Sequence, residues 1–337
     1  MALSTGTTAA ALEPGMPVTI PLGERGRRLP HLSLKIWIGL ALLGVFVLMA
    51  IIGPMVAPYD PTAIGPHALA PPSAAHLLGT TTTGQDVLSE LLVGARATLI
   101  IALLAGTIAT ALSVIVGVTA GYLGGAGGEA LNMLSNVFLV IPLFPLLVVL
   151  TAFLPNAGSV VIGLVIAMVG WAWGARVLRA QTLALRNQDF VQAARAVGER
   201  AWRIVLFEIL PNEVAVVASS FLFTLIAAIG LYASLIFLGL GSTTDWSWGL
   251  ILYWATSNEA LAAGAWWWFV PAGLCLALLG MSLALINFGL DEFINPRLRA
   301  AGLSRKSRRE LSMNQALTPV ERQPQRSEVV DARRAGR

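Results

Sequence analysis

The sequence predicts an all-α, polytopic membrane protein with about six transmembrane helices. Three observations carry this. The 337 residues are 56% hydrophobic and only 12% charged, with a mean hydropathy of +0.75. A soluble domain carries about a quarter charged residues, so this chain cannot cover a globular surface with charge, and lipid is the natural solvent for the excess apolar surface. Six apolar stretches reach about the 20 residues a helix needs to cross the hydrocarbon core. The basic residues cluster between those stretches on one side only.

The first stretch is Ile36–Val56, which stops at an APYDP turn, residues 57–61. A mixed, polar segment precedes it and no small-residue cleavage pattern follows, so it reads as a retained anchor. The second, Ala97–Tyr122, is rich in Ala, Gly, Ser and Thr, a composition that permits close helix packing. The third, Ala130–Leu154, contains Pro142 and Pro145. The fourth is Ser159–Leu178, the fifth Val214–Leu240 and the sixth Phe269–Leu290. No span has an acidic or basic residue at mid-depth, which argues against an ion-coupled transporter.

Of the 22 Lys and Arg, all but Arg96 lie before the first span, between Arg176 and Arg203, or after the sixth span. Segments 58–94, 155–158 and 241–268 contain none. The positive-inside rule places both termini and the 179–213 loop in the cytoplasm, and an even number of spans agrees. Residues 1–33 and the basic tail 303–337 have the composition of mobile tails around one membrane domain, 34–302. The tail interleaves no aromatics for base stacking, so nucleic acid is not an expected partner. No internal repeat is visible.

Several chemistries are excluded. Cys275 is the only cysteine, and His31, His67 and His76 are scattered outside the apolar runs, so a metal site is not expected. The stretch GTTTTGQD, 79–86, resembles a phosphate-binding loop, but Gln85 stands where a Lys would reach phosphate and Asp86 would repel it. It also lies in the external segment. The simpler reading is a Gly-punctuated turn before an interfacial helix over 87–95, capped by Thr83 or Asp86.

The most informative segment is cytoplasmic: RNQDFVQAARAVGERAWRIVLFEILPN, 186–212. Asp189 and Gln192 have capping-box spacing. Phe190, Ala193, Ala194 and Val197 fall at i, i+3, i+4 and i+7, one face of a short helix, while Gln192, Arg195 and Glu199 point elsewhere. Gly198 suits the left-handed position that closes the helix. A second amphipathic helix is expected over 201–210, ended by Pro211. The narrow Phe-Ala-Ala face can receive another protein or pack on the chain's own helix ends; the pattern alone leaves both open.

This segment resembles the cytoplasmic coupling loop of bacterial ABC importer permeases, whose pattern is Glu-Ala-Ala, three residues, Gly and then Ile-Leu-Pro about a dozen residues on. Here it reads Gln192-Ala193-Ala194, Gly198, and Ile209-Leu210-Pro211. The similarity is greatest to the dipeptide/oligopeptide (peptide/nickel) branch, through APYDP, 78–99, FLGLG with SWG at 237–249, and NPRLR at 295–299. Gln192, Thr81, Gln85 and Glu208 depart from the family pattern.

The resemblance implies a type I ABC importer permease in the bacterial plasma (inner) membrane, embedded in lipid and forming half of a translocation pore. A second, homologous permease would complete the pore. Two cytoplasmic ABC ATPases would grip the coupling loops, and an external solute-binding protein would deliver a peptide, nickel or another small solute. This chain would bind no cofactor and catalyse nothing; ATP and Mg would be used by the ATPases. Asp189, Phe190, Gln192, Ala193, Ala194, Arg195, Val197 and Gly198 are the expected coupling residues. Ser220, Thr224, Tyr232, Ser234, Asn132 and Asn136 are candidates for the pore lining, although hydroxyls on spans more often bond back to their own helix. The tryptophans crowding 246–268 fit an interfacial aromatic belt. The alternative is binding-protein docking, by Trp246 and Trp248. A homo-oligomeric channel without ATP coupling is the reading from another class. A membrane-embedded enzyme would need a catalytic constellation; Asp291 and Glu292 are adjacent but diverge on a helix and have no His nearby in sequence.

Overall fold

The computed structural model describes residues 34–154 and 157–294. The expected tails 1–33 and 303–337, and the NPRLR stretch, lie outside these residues. Helix α1 spans Leu34–Val56 and turns Phe46, Ala50 and Gly53 inward, leaving Leu40, Leu48 and Ile51 exposed on a lipid-facing side. It packs on α2 and α11.

Helix α2, Val87–Leu123, is the axis of the fold. Its 37 residues rise about 55 Å, well beyond the ~30 Å hydrocarbon core. The separate interfacial helix expected over 87–95 is instead the first turns of this rod. Nothing in Gly94-Ala95-Arg96 breaks a helix, and Gly94 lets Ser247 and Trp248 lie against the backbone. Asp86 caps it: Oδ2 accepts from the Ser89 backbone N at 2.9 Å and from the Ser89 hydroxyl at 2.7 Å. Its small residues admit α1, α5, α6 and α9 close to the axis.

The third expected span is broken. Helices α3, Gly125–Val140, and α4, Leu143–Ala152, meet at an 80° bend. Ile141 is extended (φ −72°, ψ 127°), as a residue before proline prefers, and Pro142 forms the N-cap of α4. Pro145 sits in the first turn of α4, where its missing N–H removes no helical bond.

Helices α5, Ser159–Gly170, and α6, Ala172–Leu185, join across Trp171 into a candidate span of 27 residues, longer than 159–178. Helix α7, Asp189–Ala196, is short and lies between α6 and the next long rod. That rod begins as α8, Ala201–Arg203, continues through a π-helical segment, Ile204–Ile209, and becomes α9, Leu210–Phe237. Pro211 therefore does not end a helix. The π register accommodates it: the Leu210 N–H reaches back five residues to the Val205 carbonyl, and the wider turn makes room where proline lacks an N–H.

Helix α10, Trp248–Ser257, and α11, Trp266–Ile294, complete the described chain. Among the described residues five helical runs are long and apolar enough to cross a membrane, and the bent α3–α4 pair makes up to six. The start of α2 meets residues 247–248, while its end meets Ala175, Arg179 and Thr182 of α6. The bundle thus has a Trp-rich end, with 58–86 and 241–265, and an α7 end.

Candidate coupling helix and ligand-facing surfaces

Helix α7 is anchored by a residue the sequence reading did not single out. Val191 is fully buried and packs with Val118, Leu178, Ile204 and Ile209. Ala194, half-buried, packs on this same cluster. The expected Phe190/Ala193/Ala194/Val197 face is therefore split. Phe190, Ala193 and Val197 are exposed, Val197 at 78%, while Ala194 faces the protein's own core. Asp189, Gln192, Arg195 and Gly198 are exposed as well.

The ends of α7 follow one expectation and overturn another. Gly198 adopts φ +81°. Its N–H donates to the Arg195 carbonyl at 3.0 Å, and the Glu199 N–H to the Ala194 carbonyl at 3.1 Å, the paired bonds of a Schellman motif. The Asp189–Gln192 capping box does not form. Gln188 is the N-cap, Asp189 is already helical, and the Gln192 side chain reaches toward the Arg186 carbonyl at 3.5 Å. An acid at the first helical position still favours the helix dipole.

One cation–π contact ties α7 to α2, and polar contacts tie the neighbouring helices to one another. The Arg195 guanidinium lies 4.9 Å from the Tyr122 ring centre, and the Arg186 Nη1 donates to the Gly121 carbonyl at 3.2 Å. Buried Glu213, at the start of α9, accepts from the Thr182 hydroxyl of α6 at 2.7 Å. Arg179 pairs with Glu129 of α3 at 2.8 Å. Helix α7 thus packs through Val191 and Ala194 on side chains of α2, α6, the π-helical segment and α9.

The candidate pore residues separate. Thr224 donates to the Ser220 carbonyl at 2.7 Å, bonding back to its own helix, and Ser220 is buried. Thr224 also borders a cavity of about 370 Å³ between α2, α5 and α9 that is otherwise apolar. Tyr232 is buried, and its hydroxyl donates to the Ser159 Oγ at 2.8 Å. Ser159 in turn donates from its N and Oγ to Asp245 at 3.1 and 3.0 Å, so Asp245 completes the N-terminus of α5 from a distant loop. Sequence spacing gave no signal for this bridge. Ser234 borders a second cavity, about 420 Å³, with Gly230, Phe237 and Gly280. Asn132 donates to Glu129 at 3.3 Å beside the Arg179 pair, and Asn136 is exposed on α3.

At the Trp-rich end, neither expectation for Trp248 holds. It is fully buried, its Nε1 donates to the Leu91 carbonyl at 3.0 Å, and its ring meets Phe46 edge-on at 5.5 Å. It is a core residue of the α1–α2–α10 junction, neither a belt nor a docking side chain. Trp268 is buried, Trp246, Trp254 and Trp267 are half-buried, and Trp266 is exposed. Several backbone donors of the GTTTTGQD loop are spent within it. The Thr81, Gly84 and Val87 N–H groups bond to carbonyls of Gln85, Thr81 and Gly79, and the Gln85 N–H to the Thr81 Oγ1. Those amides are not free to cradle a phosphate. Gly84, at φ +75°, lies so close to Gly65 that a side chain has no room there.

Membrane-length helices around a long central axis, with a short amphipathic helix presented at one end, define a polytopic membrane protein. The comparisons with known proteins agree. A family described as binding-protein-dependent transport system inner membrane component matches residues 113–300, and the N-terminal TM domain of oligopeptide transport permease C matches 36–72. The chain belongs to the binding-protein-dependent transport system inner membrane components. It is 31% identical to the oligopeptide transport system permease protein OppC of Bacillus subtilis over 265 residues, 78% of this chain and 85% of that one. It is 30% identical to the dipeptide transport system permease protein DppC of the same organism, over 77% and 82% of the two chains. A putative peptide transport system permease of Brucella abortus is 32% identical over 82% and 92%. The family is one of multi-pass transport components rather than enzymes.

Proposed function

We propose that this chain is one of two permease subunits in an ATP-driven importer of peptides, and that α7 is its coupling element. The substrate class rests on the similarity to the oligopeptide and dipeptide permeases. The coupling role rests on one observation: α7 is anchored by Val191 yet leaves Phe190, Ala193 and Val197 exposed on a small apolar face. Its surroundings carry Arg176, Arg179, Arg186, Arg195, Arg200 and Arg203, which favours a cytoplasmic position for this end and for both termini. The partners are a second permease, two cytoplasmic ATPases that bind ATP and Mg, and an external solute-binding protein. ATPase closure moves α7, and the rods follow as rigid bodies.

The contact set is Phe190, Ala193, Val197 and Gly198, with Asp189, Gln192 and Arg195 at its rim; Ala194 supports it from below. The test is peptide uptake and ATP hydrolysis by the reconstituted complex. Ala193→Trp is expected to reduce uptake at least tenfold while the complex remains folded. Unchanged, peptide-stimulated uptake in that variant rejects α7 as the coupling surface. Solute flux without ATPases would point to a channel instead.

A further inference from the structure

The Trp-rich end holds a buried carboxylate without a cation. Glu90, in the first turn of α2, is 1% exposed, and its Oε2 has no hydrogen-bond partner. Among the described residues no ion pair includes it. No Lys or Arg occurs in 58–94 or 241–268, and the nearest basic residue in sequence, Arg96, is exposed. The second acid on this turn, Asp86, is already engaged by Ser89 and by His76 Nδ1 at 3.0 Å. Burying an unpaired charge is expensive, and a carboxylate one helical turn away adds repulsion. The N-terminal helix dipole offsets only part of this.

Glu90 borders a cavity of about 230 Å³, walled by Thr82, Trp246, Trp254, Asn258 and Trp268. Two other atoms there are buried and unpartnered: Trp268 Nε1, a donor, and Thr82 Oγ1. The cavity thus offers one unpartnered carboxyl oxygen, one indole donor, the hydroxyl and amide groups of Thr82, Thr83, Gln85, Thr243 and Asn258, and aromatic walls. Among the described residues no group of three or more His, Cys, Asp or Glu side chains could hold a metal ion. Aromatic walls beside one carboxylate suit an organic cation.

We propose that this cavity binds a primary ammonium group, with Glu90 accepting from the ammonium and Trp268 Nε1 donating to a neighbouring oxygen of the same ligand. A free peptide amino terminus has this pairing of ammonium and carbonyl. A phosphatidylethanolamine head group has it as ammonium and phosphate oxygen. The inference goes beyond the transport reading and does not depend on ATP coupling.

The test uses the full chain in phosphatidylcholine nanodiscs, by thermal unfolding and calorimetric titration. The probes are Ala-Ala, N-acetyl-Ala-Ala, potassium chloride, and nanodiscs enriched in phosphatidylethanolamine. Either primary-ammonium source is expected to raise the unfolding midpoint, whereas the acetylated peptide and potassium are not. A shift with Ala-Ala assigns the site to a peptide terminus, and one with phosphatidylethanolamine to lipid. Glu90→Gln keeps the shape, removes the unpaired charge and should fold; it is expected to weaken binding at least tenfold. Trp268→Phe, which keeps a ring and loses the N–H, should weaken it several-fold. The proposal is overturned if neither ammonium source shifts the midpoint. Equal effects from the acetylated peptide or potassium, or full binding in Glu90→Gln, overturn it too.

Discussion

At the Trp-rich end, large aromatics are drawn inside; at the α7 end, a short basic loop holds apolar residues outside. Trp248 and Trp268 are buried, and the Thr81, Gly84 and Val87 amides of the loop before α2 bond within it. By contrast Phe190, Val197, Trp202 and Phe207 are exposed around α7. Composition would suggest the reverse assignment, with tryptophans for docking and arginines for solvation. The difference teaches that which aromatic rings stay uncovered is decided only after the chain has folded. The count of aromatics in a segment does not decide it.

The comparison breaks most visibly at Trp248. Trp248→Ala removes a buried ring, its bond to Leu91 and its contact with Phe46, and should cost about 3–5 kcal/mol. The expected outcome is loss of monodisperse protein in detergent or a large fall in the unfolding midpoint. Trp266→Ala, at an exposed position, should leave both unchanged. Equal effects would remove the distinction between an inside and an outside tryptophan.

The next contrast lies within α7, between neighbours. Ala194→Trp forces bulk into the Val191, Leu178, Ile204 and Ile209 cluster, and should destabilise by about 1–3 kcal/mol. Ala193→Trp should leave stability within about 0.5 kcal/mol, because that side chain is exposed. Unfolding midpoints measured beside ATPase stimulation separate the two. If both variants lose only coupling, the split face is wrong. Gly198→Ala is a smaller perturbation. It places a side chain at φ +81° and should cost about 1–2 kcal/mol, read as loss of amide protection in 189–199 by hydrogen exchange.

The legible parts of this chain were those written in local pattern. Apolar length gave the spans, Asp86 was one of two named caps, and Gly198 announced its own conformation. The breaks were less visible. Pro142 was seen within a span, but the 80° bend depends on Ile141 turning extended before it. Pro211 looked like a terminator because the five-residue bond reach of the π segment has no simple sequence signature. Within the candidate site, the period of α7 located Phe190, Ala193, Ala194 and Val197 but passed over Val191, the buried anchor. It could not tell which of two adjacent alanines would meet Val118 and Leu178, because those partners lie on other helices. Glu90 and the Ser159–Asp245–Tyr232 bridge were invisible for the same reason. Their meaning comes from partners present or missing across 73 to 86 positions, or from a cavity between α2 and α10.

The smallest effect concerns how self-sufficient the Trp-rich end is. Asp60 accepts from the Thr62 hydroxyl at 2.6 Å and from the Thr62 N–H at 2.8 Å. These bonds, the hydroxyl's first, hold its carboxyl below its ordinary value of 3.8. A depressed carboxylate contributes stability above its unfolded pKa and loses it as the pH falls through the folded value. Thr62→Val removes the stronger bond, so the Asp60 carboxyl should titrate closer to 3.8. The carboxyl carbon chemical shift of labelled Asp60 reads this directly. The difference in unfolding midpoint between wild type and variant should be slight at pH 7, since the group is exposed, and should vanish below the folded pKa. A midpoint difference that grew on acidification would mean that this loop depends on a partner charge. Its self-contained hydrogen bonds would then be an incomplete account of that end.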